Sequence, residues 1–106
     1  MTNEFGVKLD SNGYAPSVIE PYNTGYCFLC GKSGDLVRHE VFHGSNRTKS
    51  KTLGCWVNLC PECHTRLHSK DPLLDWQLHK IGQLKVMAAY DWSFEDFRER
   101  FGKSYV

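Results

Sequence analysis

The sequence has no long apolar run, no internal repeat and no low-complexity segment, and its 13 basic residues are nearly balanced by 12 acidic ones. Without such a run there is no spanning helix of the usual ~20 residues. The N-terminus Met1-Thr2-Asn3-Glu4-Phe5 lacks a basic stretch followed by an apolar one, so no signal peptide is expected and the chain reads as cytoplasmic with no membrane partner. A net charge of +1 does not by itself argue for nucleic acid. An even cysteine count is also missing: five cysteines cannot complete a disulfide framework, and in a reducing compartment paired cysteines favour metal.

What is present is a chain of 106 residues, 41% hydrophobic, the size of one domain. Its aromatic and aliphatic residues are densest after residue 70, so the cysteine-containing middle is comparatively polar and needs another source of stability. The charges are uneven. Residues 1–37 sum to −2 and residues 71–106 to −1, whereas residues 38–70 hold Arg38, Arg47, Lys49, Lys51, Arg66 and Lys70 against Glu40 and Glu62, a local +4 that can attract phosphate.

Three stretches follow. Residues 1–25, with Gly6, Gly13, Pro16, Pro21 and Gly25 and little periodicity, read as a partly irregular arm, loose before about residue 20. Residues 26–70 form the core of the reading. Leu36 to Phe42 suggests a short strand carrying His39 and Glu40, broken at Gly44-Ser45-Asn46. The polar, basic run Asn46 to Lys51 reads as a loop, and Leu53 to Leu59 as a second strand completing a hairpin. A helix should begin near Pro61 or Glu62, since proline has no amide to leave unpaired in a first turn. Residues 71–106 read as a helical cover. Leu74, Leu78, Ile81, Leu84 or Lys85, and Ala88 recur at helical spacing, with Trp76 and Met87 widening the face and Gly82 weakening it. Ser93 and Asp96 mark a further N-cap, after which Phe94, Phe97 and Phe101 share a face and Gly102 ends the turn.

Cys27-Phe28-Leu29-Cys30 and Cys60-Pro61-Glu62-Cys63 are two Cys-x-x-Cys pairs, the spacing that brings two thiolates to one ion without strain. Gly31 and Gly34 after the first pair let the backbone turn its amides toward sulfur. Cys27, Cys30, Cys60 and Cys63 are therefore expected to hold a structural Zn2+, with Cys55 left as a core thiol. His64 and His68 stand four residues apart on the helix that follows, one turn from each other on one face. A pair at this spacing is often plain surface, but here His39 offers a third ligand from the hairpin. His43 is a reserve candidate beside the Gly44 turn.

At these residues the chain resembles a known family. Arg38-His39-Glu40-Val41-Phe42, the span to Gly54-Cys55-Trp56-Val57-Asn58-Leu59-Cys60, and Cys63-His64 look like the phage-type HNH endonucleases, over roughly residues 26–70 with a weaker echo from Gln83 to Val106. The resemblance implies an α+β fold: a small zinc-braced, treble-clef-like ββα-metal core with C-terminal helices. It implies DNA phosphodiester hydrolysis on a divalent cation, Mg2+ or Mn2+ with Zn2+ or Ni2+ able to stand in. His39, His64 and His68 fall at its metal ligands, and Glu40 where the general-base histidine usually stands. Two assignments follow: Glu40 activates water while His39 binds metal, or His39 is the base and Glu40 ligates or orients. Cys55 occupies the place of the family's asparagine, so the tie from loop to strand is expected from Arg47 and Ser50 instead. Arg47, Lys49, Lys51 and Arg66 would hold the DNA backbone; such contacts read little sequence, so nicking of low specificity is expected. The alternative is a non-catalytic zinc module that binds nucleic acid or a protein partner, with Glu40 marking a lost base.

Overall fold

The computed structural model describes residues 1–20, 25–69 and 71–106, and everything below refers to these. Pro21 of the arm and Lys70 of the basic middle lie outside them. The elements in chain order are β1 (Val37–Glu40), a 3-10 turn (Gly44–Asn46), α1 (Arg47–Leu53), β2 (Trp56–Leu59), α2 (Pro61–Ser69), α3 (Pro72–Tyr90) and α4 (Phe94–Phe101). β1 and β2 pair antiparallel, Val37 opposite Leu59, Arg38 opposite Asn58, His39 opposite Val57 and Glu40 opposite Trp56. Opposed residues share a face and successive ones alternate. His39 thus shares the side of the fully buried Val57 and Leu59, and Glu40 the side of Trp56.

The connection between the strands differs from the expected loop: Arg47–Leu53 is helical. The segment has no apolar periodicity to announce a helix. Two tertiary features hold it. The Ser50 hydroxyl, fully buried, donates to the Cys55 carbonyl at 2.6 Å and accepts from the Phe42 N–H at 3.1 Å, tying the helix to the ends of both strands. Gly54 then closes it at φ 82°, where any Cβ would stand 2.2 Å from the Pro16 carbonyl oxygen. Of the two residues expected to tie this segment to the hairpin, Ser50 reaches the backbone, and Arg47 reaches Glu40 through a 2.7 Å ion pair.

That close approach at Pro16 shows that the lead-in is not a loose arm. Residues 1–20 form no helix or extended strand, yet Ala15, Ser17 and Ile19 are buried. The Ala15 N–H donates to Lys51 O at 3.0 Å and Val18 N–H to Gly54 O at 2.9 Å. The Asn3 amide donates to Thr52 O and to the Tyr90 hydroxyl, and Ser17 Oγ donates to Trp56 O at 2.6 Å. The segment is irregular in conformation and fixed by side-chain hooks to distant backbone.

The helices behind the hairpin are set by their caps. Pro72 opens α3, with the Asp71 carboxylate accepting from Leu74 N–H at 3.0 Å. Ser93 and Asp96 form a reciprocal capping box at α4, and Gly102 ends it. The buried face of α3 differs from the aliphatic stripe expected of it. Leu78, His79, Gly82, Gln83, Val86 and Met87 face inward, while Trp76, Ile81 and Leu84 are exposed. Gly82 explains the rotation: it lets Val41 and Phe42 of the hairpin lie against the helix backbone, and a Cβ there would be 2.9 Å from Val41 Cγ1. Likewise Phe97 and Phe101 are buried on α4 but Phe94 is not. Phe42 is the joint, its ring 4.7 Å from Phe101, 5.6 Å from Phe97, 5.3 Å from His79 and 5.5 Å from Tyr105. The result is a small compact α+β fold of four helices and a two-stranded sheet among the described residues, with no helix long and apolar enough to cross a membrane.

Candidate metal centres

The two Cys-x-x-Cys pairs meet. Phe28 N–H donates to Asn58 O at 2.9 Å, docking the first turn on β2 just ahead of Cys60, and exposed Lys32 pairs with Glu62 across the two turns at 3.3 Å. Sulfurs of Cys27, Cys30, Cys60 and Cys63 lie within 4.8 Å of one another. Cys30 and Cys60 stand 3.7 Å apart, too far for a disulfide at about 2.05 Å. Thiolates held at about 2.3 Å by one tetrahedral ion stand about 3.8 Å apart, so the four fit a metal.

The proton affinities of the group point the same way. Burial alone would raise the Cys27 thiol, but backbone N–H groups of Cys30, Cys60 and Leu29 outweigh it and bring it to about 6. Burial and the neighbouring sulfurs push Cys63 up. A thiol already lowered beside one that is raised makes a mixed group whose remaining protons a bound cation would displace. Cys55, by contrast, is fully buried in the core away from this group, and burial raises its thiol strongly.

A second group stands beside the first. His64 and His68 on α2 have their Nε2 atoms 3.1 Å apart, and the His39 ring lies 5.3 and 5.6 Å from theirs, all three ligand atoms within 4.8 Å. The chain brings them together directly: Cys60 follows β2, α2 starts at Pro61, and the imidazoles follow one turn apart against β1. His39 is 2% exposed and its Nε2 is buried without a hydrogen-bond partner. Leaving such a nitrogen unpaired costs about 1–3 kcal/mol, an expense a bound cation removes. Burial, then the neighbouring His64 and His68, lower His39 to about 4, so it is neutral and able to ligate at ordinary pH. His64 is lowered as well, by burial and then His68. Three imidazoles converging on one point therefore fit a metal.

These residues open on a cavity of about 360 Å³ lined by Arg38, His39, Glu40, His43, Gly44, Arg47, His64 and His68. Glu40 is nearly buried. Burial opposes its charge, but the Arg47 guanidinium outweighs burial and holds the carboxyl below its usual value. Of the four basic residues expected to hold a backbone, only Arg47 lines this cavity. Lys49 is bonded to the Arg100 carbonyl, Lys51 sits 4.8 Å over the Tyr14 ring, and Arg66 pairs with Asp71 at 2.9 Å. Arg38 lines the cavity and was not among the four; its guanidinium lies between the rings of Tyr14 and Trp56 and bonds Asp10 at 2.7 Å.

His43, the reserve candidate, also lines the cavity, its ring 6.4 Å from those of His39 and His68. It faces two residues that the sequence reading passed over, Asp75 and His79 of α3. Their spacing of four on a helix, the same as that of His64 and His68, is the signal that could have found them. Comparison of the chain with known families, with curated proteins and with solved structures finds no match.

Proposed function

We propose that this chain is a divalent-metal-dependent phosphodiesterase of the HNH type that cuts DNA, with a structural Zn2+ in the four-cysteine group. The observation that carries the reading is the buried His39, its Nε2 unpartnered and its ring 5.3 and 5.6 Å from those of His64 and His68, beside a cavity that two arginines line. An all-imidazole set suits Ni2+ or Zn2+ better than Mg2+ or Mn2+. A cation there supplies Lewis acidity and charge neutralisation to a phosphodiester.

The chain's own residues do the rest. His39, His64 and His68 would hold the cation through ring nitrogens. Glu40, kept ionised by Arg47, would accept a hydrogen bond from the attacking water and take its proton as the new phosphorus–oxygen bond forms, while the bond from phosphorus to the 3′ oxygen breaks and that oxygen leaves, taking a proton from solvent. Arg47 and Arg38 face the negatively charged backbone, which positions DNA and reads little sequence. Lys49, Lys51 and Arg66, engaged elsewhere, are left as contacts to the duplex outside the cavity.

The Glu40–Arg47 pair also favours the second reading, a zinc module that binds without turnover, because a carboxylate held ionised is a weak base. Supercoiled plasmid with Mn2+, Mg2+, Ni2+ or Zn2+ separates the two. The nuclease reading expects nicked circles from wild type, none from His39→Ala or His64→Ala, and a loss of about a hundredfold or more in Glu40→Gln. Intact plasmid under every ion, from protein that holds metal at the histidines, leaves the binding module.

A further inference from the structure

We infer that His43, Asp75 and His79 form a separate binding site for a borderline divalent transition-metal ion of the Zn2+ class. The ligands come from two elements: His43 from the turn after β1, and Asp75 and His79 from successive turns of α3, which present both to one side. The three ligand atoms lie within 4.8 Å of one another.

The spacing carries the argument. One carboxylate is bracketed by two imidazoles, with Oδ1 3.6 Å from His43 Nε2 and Oδ2 3.5 Å from His79 Nδ1. A hydrogen bond between such groups closes to about 2.7–2.9 Å. Nitrogen and oxygen ligands at about 2.0–2.1 Å from one tetrahedral ion stand about 3.4 Å apart. Each imidazole thus faces its own carboxylate oxygen at a distance longer than a charge-assisted hydrogen bond and near the spacing of two ligands on one ion.

His79 is also prepared as a ligand. It is 6% exposed, and its ring stacks on Tyr105 at 4.7 Å and 11°. Tyr105 is held in turn by the fully buried Gln83, whose Oε1 accepts from the Tyr105 N–H at 2.6 Å while its Nε2 donates to Ser104 Oγ. Packing, together with a hydrogen bond to the Asp75 backbone, fixes the ring with Nδ1 3.5 Å from Asp75 Oδ2. His43 is half-exposed and gives the ion a way in. The three face a hollow of about 290 Å³, which Lys103 also lines; its ammonium lies 4.9 Å over the Tyr105 ring. That positive neighbour makes the site weaker than the four-cysteine one.

Two imidazoles and one carboxylate favour Zn2+, Co2+ or Ni2+ over Mg2+ or Ca2+, and three protein ligands leave a position open. His43 forms a wall common to this hollow and to the cavity of His39, His64 and His68, and the two groups share no ligand. An ion here would fasten the turn after β1 to α3 and so fix one side of the neighbouring cavity. The plainer account is an Asp75–His79 ion pair that seats Tyr105, with His43 unattached.

Cobalt counting decides between them without reference to cleavage. In a His64→Ala/His68→Ala protein, the thiolate group takes one Co2+ with strong charge-transfer absorption. The proposal expects a further, weaker-absorbing Co2+ that Asp75→Asn removes or weakens about a hundredfold or more. His43→Ala, an exposed change that leaves α3 untouched, is expected to do the same with the far-ultraviolet circular dichroism unchanged. No Co2+ beyond the thiolate ion, or one that survives both substitutions, overturns it.

Discussion

The two halves of the molecule are built on different principles. Residues 25–69 are short strands and helices whose ends are closed by polar hooks, thiols and imidazoles. Residues 71–106 are two capped helices packed on aromatic rings. The first half adds to its apolar core buried groups that can ligate: Cys27, Cys60, Cys63 and His39. The second buries chiefly apolar side chains, Leu78, Val86, Met87, Phe97 and Phe101. The lesson is a division of labour in which both halves supply apolar core and the hairpin half in addition holds chemistry that would not bury well unaided. Cobalt thiolate absorption reports on the first half, and far-ultraviolet circular dichroism chiefly on the helices.

The change expected to break the division most strongly is Phe42→Ala. Phe42 belongs to the hairpin by sequence but to the aromatic cluster by packing, so its loss should cost about 3–5 kcal/mol. Both reporters should shift together in urea; a shift in one alone would mean that the halves unfold separately.

Acid comes next and acts on the hairpin half. His39 titrates at about 4 when folded and near 6.5 when unfolded. Between those values the unfolded chain binds the extra proton, so stability rises with pH there, is complete above about 6.5 and is lost as pH falls toward about 4. His79, lowered by burial, adds in the same direction from the helical half. Urea midpoints measured across this range without added metal should fall with acid, and less so in His39→Asn.

How far these features could be read from sequence follows the same division. Cap chemistry is local, so Pro61, Pro72 and the Ser93–Asp96 pair announced where α2, α3 and α4 begin, and the cysteine spacing announced the four-sulfur group. The helix Arg47–Leu53 was hidden because a buried hydroxyl and a glycine pressed against Pro16 hold it, neither of which has a periodic signature. The inward face of α3 was misjudged for a related reason. Gly82 and Gln83 are not apolar, yet one admits the hairpin and the other secures the tail. His79 sat on that misjudged face, and so its pairing with His43 across 36 residues of sequence was missed.

Two smaller effects sharpen the comparison. Ser50→Ala strands the buried Phe42 N–H and should cost about 1–3 kcal/mol, seen in the thiolate signal as early as in the helical one. Ser93→Ala removes one exposed cap and should cost about 1 kcal/mol, with cobalt affinity at the cysteines and histidines unchanged. Weaker binding there after Ser93→Ala would erase the distinction between the halves.

Ser50 carries one more implication. Its single oxygen serves the end of one strand eight residues back and the start of the next five residues on. A residue inserted on either side would rotate the hydroxyl away from one of them by about 100° of helix. The connection between the strands therefore works as a gauge: its composition can drift, but its length is what it encodes.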